Sequence, residues 1–289
     1  MTKTTLAGAL LLAAFQSQDP ADAAKQLKAR INEVRKLAQA PEEETRIKAI
    51  AELGTLFDEE ARSVLAAKMT TDTDKVRVAA GKALIQHRKP VCAQALGNAI
   101  QSNVKNDKLV RSFIGLLAEL DMCACISVLF TVLESRYDTA ADPLEAIVKI
   151  GCTEAVQPLV VFLKKAETEE KKPDFFENVD NLRPQPGQLP PRPRGPDKIE
   201  NKTKNKPLAA LAPKVREALK TLTGKSHDAH RDWAAALTAG ALSPRLTSVY
   251  LCEATKEKYE IAAGKPKKCP NAGEAKPNHE DTFLKHRRE

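Results

Sequence analysis

The chain is poor in aromatic residues and in glycine. Aromatic side chains make up 4% of the 289 residues, and there are 12 glycines. β-Sandwiches and barrels need frequent turns and large side chains between strands, so this composition argues against both. The apolar fraction is nevertheless 42%, and alanine and leucine supply most of it. Because such residues suit closely packed helices, we expect an all-α fold with a core of its own.

The common catalytic motifs are missing from the sequence. It has no phosphate-binding loop, no nucleophile elbow, no dinucleotide-binding glycine pattern and no H-E-x-x-H motif. The five histidines form no catalytic group; they are His87, His227, His230, His279 and His286. We interpret His227 and His230 as part of a polar turn that caps a helix. The sequence therefore predicts a protein that is not an enzyme and holds no cofactor.

Long hydrophobic runs are also missing, and the one notable apolar stretch lies near the N-terminus. Lys3 precedes a mostly apolar segment from Leu6 to Phe15, and Ala21-Asp22-Ala23 offers a small-residue cleavage site. Such a segment is too short to span a bilayer but fits a signal peptide. Residues 1–23 are thus predicted to direct export to the periplasm or the extracellular space, with no membrane span. In that oxidising compartment the six cysteines can form disulfides.

A short pattern recurs between Glu43 and Lys165. The clearest equivalent positions, each 31 residues apart, are Arg46 and Arg77, Leu53 and Leu84, and Leu65 and Leu96. Two looser copies follow, around Arg111 and around Ile147. A repeat of this length with two helical patterns per copy predicts an α-solenoid of stacked helix pairs. An amphipathic helix at Asp22–Ala38 is expected to cap its N-terminal end.

The repeated pattern resembles the HEAT repeat family of armadillo-like α-solenoids. Asp74-Lys75-Val76-Arg77, followed by Ala80 and Leu84, carries the resemblance best. The family implies a solenoid for residues 24–165. Its arginines, here Arg77 and Arg111, pair with neighbouring acidic residues and have a structural role that stabilises the stack.

The composition changes after the repeats. Eight of the 18 prolines lie between Pro173 and Pro207, and proline interrupts helices. Residues 166–206 are predicted to be a Pro-rich basic linker, in which Glu167–Glu170 is a solvated acidic run. Residues 165–289 carry 25 Lys+Arg against 18 Asp+Glu, which is +7 of the total charge of +8. An anionic polymer or surface could bind this basic linker, whereas nucleic acid is not expected because Arg183–Lys225 has no aromatic residue for stacking.

Helical periodicity returns in residues 207–243, where a terminal pair of helices is predicted. Gly224 is expected just beyond the end of the first helix. Leu222-Thr223-Gly224 followed by Trp233 resembles a terminal motif of HEAT-like proteins exported by planctomycete-type bacteria. Trp233 is expected to be a structural packing anchor in the second helix, at about Asp228–Ala239.

Residues 244–289 form a predicted small module with two cysteines. The arrangement Tyr-x-Cys252, followed by Pro-x-x-Cys269-Pro-x-x-Gly, resembles a heavy-metal-binding module of bacterial proteins. The remaining ligands of that family are replaced here by Glu253-Ala254-Thr255 and Ala272, so we expect no metal. Because the protein is predicted to be exported, we instead expect a Cys252–Cys269 disulfide that closes a β-rich knuckle.

The other four cysteines are Cys92, Cys123, Cys125 and Cys152, all in or near a turn into the second helix of a repeat. Equivalent positions in stacked repeats lie roughly 10 Å apart, whereas a disulfide needs α-carbons about 5.5 Å apart. We therefore expect disulfides between non-equivalent positions, Cys92 with Cys123 and Cys125 with Cys152. Buried thiols and a four-thiol metal site are the alternatives.

These patterns predict a non-enzymatic, exported scaffold that binds another protein through its repeat surface. The alternative is a metal-handling protein that binds copper or zinc through the C-terminal module and the pair Cys123/Cys125.

Overall fold

The computed structural model describes residues 20–136, 140–170, 208–242, 246–252, 258–262 and 282–288. These ranges contain eleven α-helices and three strands. The helices are α1 (Pro20–Leu37), α2 (Glu43–Leu53), α3 (Glu59–Thr71), α4 (Asp74–Gln86), α5 (Pro90–Ser102), α6 (Asp107–Leu120), α7 (Ala124–Ser135), α8 (Ala141–Ile150), α9 (Val156–Glu170), α10 (Ala212–Thr223) and α11 (His230–Thr238). The strands are β1 (Leu246–Leu251), β2 (Lys258–Ala262) and β3 (Thr282–Arg288). The expectation of a mostly helical chain with a small β-rich C-terminal segment is confirmed.

Local sequence signals explain most of the helix boundaries. α1 starts at Pro20, whose fixed φ suits the first helical position. Gly224 follows α10 with a φ of 68°, the left-handed conformation predicted for it. α9 continues to Glu170, into the predicted linker, because no proline interrupts the chain before Pro173. Residues 1–19 of the predicted signal peptide and residues 171–206 of the predicted linker lie outside the described ranges.

The chain divides into two compact units. Of the described residues, the first contains those up to Arg88 together with Gln101–Leu109, and the second contains Lys89–Ile100 and those from Val110 onward. Within the first unit, α1 contacts α2 and α3, and α4 contacts α2 and α3. Within the second unit, α8 contacts α7 and α10, and α9 contacts α10 and α11. In both units a helix therefore packs against the helix that lies two places further on among the described helices.

The core of each unit is built from the apolar positions that recur in the sequence. The leucines at the repeated positions are buried: Leu53, Leu65, Leu84 and Leu96. Burying a leucine stabilises the fold by about 1.5–3 kcal/mol. The recurring leucines therefore favour packing of one face of each helix against the core. In α1, Ile31 and Val34 are buried, as the predicted amphipathic helix requires, whereas Leu37 at its end is exposed.

The three strands form an antiparallel sheet in the order β2-β1-β3. In the central strand, Val249 and Leu251 are both buried, as the two-residue period of a strand requires for one face. Tyr250 pairs with Tyr259 of β2, and their rings stack with centroids 5.6 Å apart. The sheet and the helices from α7 onward belong to the same unit.

None of the helices in the described part of the chain combines the length and the hydropathy that crossing a bilayer requires.

Candidate functional site

A disulfide joins Cys123 to Cys152. Cys123 lies in the turn before α7, and Cys152 lies between α8 and the 3₁₀ turn Thr153–Ala155 that leads into α9. Their α-carbons are 5.7 Å apart, a usual distance for a disulfide. The bond therefore fixes the turn before α7 against the turn before α9.

The predicted pairings of Cys92 with Cys123 and of Cys125 with Cys152 are wrong. Cys92 and Cys125 are buried within helices α5 and α7 and remain thiols. The expected spacing of roughly 10 Å applies to helix axes, whereas Cys123 and Cys152 lie in turns, where two backbones can approach more closely. The bonded cysteines are 29 residues apart, close to the repeat interval.

Glu154 places a carboxylate oxygen against both sulfur atoms of this disulfide. Its Oε2 lies 3.2 Å from Cys123 Sγ and 2.5 Å from Cys152 Sγ. The Thr153 hydroxyl is 3.4 Å from the same oxygen. We call Cys123, Cys152 and Glu154 the sulfur–carboxylate site. Cys152 is buried, Cys123 is partly buried and Glu154 is exposed, so the site opens to solvent on the Glu154 side.

The C-terminal sheet contacts the chain beside this site. The Cys123 backbone amide donates to the Leu284 carbonyl of β3 over 2.8 Å. Strand β3 also contacts the 3₁₀ turn that carries Glu154. Lys258, the first residue of β2, pairs with Asp121 at 2.7 Å. The sheet therefore makes specific contacts with both turns that the disulfide joins.

The predicted metal pair Cys123/Cys125 does not converge. The Cys123 sulfur is in the disulfide, and the Cys125 side chain is fully buried in the helical core. Burial raises the pKa of the Cys125 thiol to about 12. Within the ranges that the structure describes, the cluster of three metal-ligating groups is Cys123, Cys152 and Glu154 instead.

Cys252, in the C-terminal module, is buried and disulfide-bonded. It follows β1 directly and packs with Tyr259, Tyr250 and Ile261 in a small apolar cluster. The predicted partner Cys269 lies outside the described residues. A Cys252–Cys269 bridge therefore stays a prediction.

A second polar cluster surrounds Glu167 on α9. Its carboxylate accepts hydrogen bonds from Arg216 Nη2 at 3.1 Å and from the backbone amide of His230 at 3.2 Å. His230 Nδ1 lies 2.6 Å from the other carboxylate oxygen. The expectation that Glu167 belongs to a solvated acidic run is wrong, since its side chain is 5% exposed. Glu167 joins α9 to α10 and to the first residue of α11.

The residues predicted to be structural are placed as follows. Arg77 Nη1 donates to Asn103 Oδ1 over 2.6 Å, and the same nitrogen lies 3.7 Å from Asp74. Arg111 Nε lies 3.1 Å from Asp142 Oδ2. Trp233 is fully buried, and its Nε1 donates to the His227 carbonyl over 3.0 Å. The partner of Arg77 is thus mainly an amide oxygen, whereas the partner of Arg111 is a carboxylate.

The two carboxylates that organise these clusters, Glu154 and Glu167, were missed by sequence reasoning. Glu167 carried a signal, because Leu159, Leu163 and Glu167 are spaced by four residues and continue one helical face. Glu154 lies two residues after Cys152, but such a short spacing is common by chance. Its proximity to Cys123 depends on packing between segments 31 residues apart.

The chain matches no protein-family model, and no curated protein matches it significantly.

Proposed function

We propose that this chain is a HEAT-like helical-repeat protein, exported from the cell, which acts without catalysis by binding another protein. The packing between alternate helices supports a solenoid. In the first unit α2 contacts α4, and in the second α8 contacts α10. Stacked helix pairs require contacts of this kind, because helices of the same type occupy every second place along the chain.

The observation that carries the proposal is a polar contact that recurs at the sequence interval. Arg46 Nε donates to Asp72 Oδ1 over 3.2 Å, and Arg77 Nη1 donates to Asn103 Oδ1. From the first contact to the second, both partners move by 31 positions. Equivalent residues therefore have equivalent partners, which a coincidental sequence pattern would not require.

Further ion pairs in the second unit span the same interval. Lys165 pairs with Glu134, 31 residues away, with a nitrogen–oxygen distance of 2.5 Å. Arg111 and Asp142 are also 31 positions apart. Contacts between residues separated by one repeat are expected when successive helix pairs stack side by side.

The exposed apolar side chains are the positions at which the proposed binding of another protein can be tested. Large apolar residues exposed in the described ranges are Leu37, Phe57, Val91, Val104 and Val161. Scattered exposed residues of this kind are normal on proteins. Phe57 is the most exposed of them, at 58%, and aromatic residues are enriched at the centres of protein interfaces.

The test uses the full-length protein as bait with the exported fraction of its source cells. We expect the wild-type protein to enrich a partner that Phe57→Ser retains at least about tenfold less efficiently, as for loss of an interface anchor. Val161→Ser, which also removes an exposed apolar side chain, is the matched control and should retain binding. Failure to enrich any protein above an unrelated bait would overturn the proposal.

A further inference from the structure

The sulfur–carboxylate site brings three potential metal ligands close together. One ligand atom from each of Cys123, Cys152 and Glu154 lies within 4.8 Å of the others. A disulfide that only holds two turns together needs no carboxylate. Here one carboxylate oxygen faces both sulfurs, as if the three groups shared one central position.

The oxidised state does not explain why Glu154 is there. A disulfide sulfur carries no proton, so it cannot donate a hydrogen bond to a carboxylate. After reduction each thiol can donate an S–H···O hydrogen bond, and after deprotonation each thiolate becomes a metal ligand. Only in the reduced state can a proton or a cation therefore bridge the sulfurs and the carboxylate.

We propose that the reduced sulfur–carboxylate site binds a thiophilic divalent cation of the zinc class. Two thiolates and one carboxylate are ligands that Zn²⁺ accepts, and a site with three protein ligands leaves one tetrahedral position for water. Because Glu154 is exposed and Cys152 is buried, the cation enters on the solvent side, and the water occupies that side.

The reaction that exposes the site is thiol–disulfide exchange. A dithiol reductant transfers two electrons and two protons to the Cys123–Cys152 bond, giving two protein thiols and one oxidised reductant. Binding of M²⁺ then releases the two thiol protons and forms two sulfur–metal bonds. The disulfide and the metal are therefore alternative states of the same two sulfurs, and the metal protects the reduced state.

This site shares Cys123 with the predicted metal pair but takes its other two ligands from Cys152 and Glu154. Cys125, buried in α7, contributes no ligand, and Glu154 supplies an oxygen ligand instead. Asp121, two residues before Cys123, pairs with Lys258 at 2.7 Å and is not one of the three ligands.

The experiment measures zinc binding by the full-length Cys252→Ser/Cys269→Ser variant, so that thiols of the C-terminal module cannot contribute. After reduction with a phosphine and removal of the reductant, we expect one equivalent of Zn²⁺ to bind. The oxidised form should bind none. Cd²⁺ is a second probe, because its bond to thiolate gives an ultraviolet charge-transfer absorption that reports sulfur ligation directly.

Two substitutions, at the partly buried Cys123 and at the exposed Glu154, identify the ligands. In this background Cys123→Ser should abolish stoichiometric binding, and Glu154→Gln should weaken it by at least about tenfold, since even groups outside the ligand shell have such effects. Glu145→Gln removes an exposed carboxylate of α8 and should leave the affinity unchanged. Circular dichroism before and after reduction checks that each variant stays folded.

Three results would overturn the inference. They are folded, reduced protein that takes up no zinc, equal affinity of the Cys123→Ser variant, and zinc uptake without a cadmium–thiolate absorption. None of these outcomes depends on whether the chain also binds another protein. The proposed function is therefore tested independently of the metal site.

Discussion

Glu167 has a nearly buried carboxylate, and its hydrogen-bond partners determine its pKa in the folded protein. Burial by itself raises a carboxyl pKa, but the hydrogen bonds from His230 and Arg216 more than offset this effect. The pKa of Glu167 therefore lies below its ordinary value. Since the unfolded chain has the higher pKa, Glu167 stabilises the fold at pH values above that ordinary range. This contribution is lost as the pH falls through the lower pKa of the folded state.

Glu167→Ala should lower the free energy of unfolding at pH 7 by about 2–3 kcal/mol, because it removes the nearly buried acceptor of the partly buried Arg216 and His230 side chains. Urea unfolding followed by circular dichroism measures the change. The matched control is Glu134→Ala, whose partner Lys165 is half exposed; its effect should stay below about 1 kcal/mol. Equal effects of the two substitutions would show that Glu167 contributes no more than a surface ion pair.

Cys125 is predicted to be almost inert as a thiol in the folded protein. Its pKa of about 12, raised by burial, leaves little thiolate at pH 8. Alkylation by iodoacetamide should therefore be roughly a thousandfold slower than for the same cysteine in urea-unfolded protein, since the thiolate is the reactive form. Peptide mapping by mass spectrometry gives the rate at this site. Similar rates in folded and unfolded protein would mean that the helical core around α7 opens readily.

At the scale of helices, two glycines lie at close approaches between alternate helices. A Cβ atom on Gly54, at the end of α2, would lie 2.9 Å from the Ala83 Cβ of α4. A Cβ atom on Gly97 of α5 would lie 2.8 Å from Val128 Cγ1 of α7. Both distances are shorter than real Cβ contacts allow. In each unit a missing side chain therefore lets one helix approach the helix two places further on.

Gly54→Ala should destabilise the first unit by about 1–3 kcal/mol, because overfilling a packed contact forces backbone shifts. The strain is steric and not conformational, since Gly54 has an ordinary helical φ of −62°. Gly115→Ala in α6 is the matched control, because a Cβ there meets nothing within 4 Å. In a helix interior this change should stabilise the protein by up to about 1 kcal/mol. Thermal unfolding of both variants tests the prediction, which fails if Gly54→Ala is neutral.

At the scale of the whole molecule, the sequence predicts the elements better than the contacts between them. The apolar periodicity and Gly224 place helices to within a few residues, because these signals act locally. The partner of Cys123 and the position of Glu154 depend on how turns 29 and 31 residues apart come together. A spacing rule for helix axes does not describe such turns. Glu167 shows the same limit, because a buried carboxylate is recognisable only once Arg216 and His230 are placed around it.

The Cys123–Cys152 disulfide closes a segment that contains α7 and α8. Loss of the bond should therefore destabilise several elements. Joining residues 29 positions apart restricts the unfolded chain and stabilises the fold by roughly 3.5 kcal/mol in the chain-entropy estimate. The bond also holds Cys123 where its amide can donate to Leu284 of β3. A chain without the bond should therefore open locally before it unfolds globally.

Hydrogen exchange of the Cys123→Ser/Cys152→Ala variant, compared with the oxidised wild-type protein, tests this expectation. Peptides from α7, α8 and β3 should exchange at least about a hundredfold faster, the factor that corresponds to a loss of roughly 3 kcal/mol in local opening free energy. Peptides from α2 to α4 belong to the first unit and serve as an internal control with unchanged exchange. Uniform acceleration in both units would mean that the bond stabilises the chain only globally. No acceleration anywhere would mean that helix packing alone fixes the two turns.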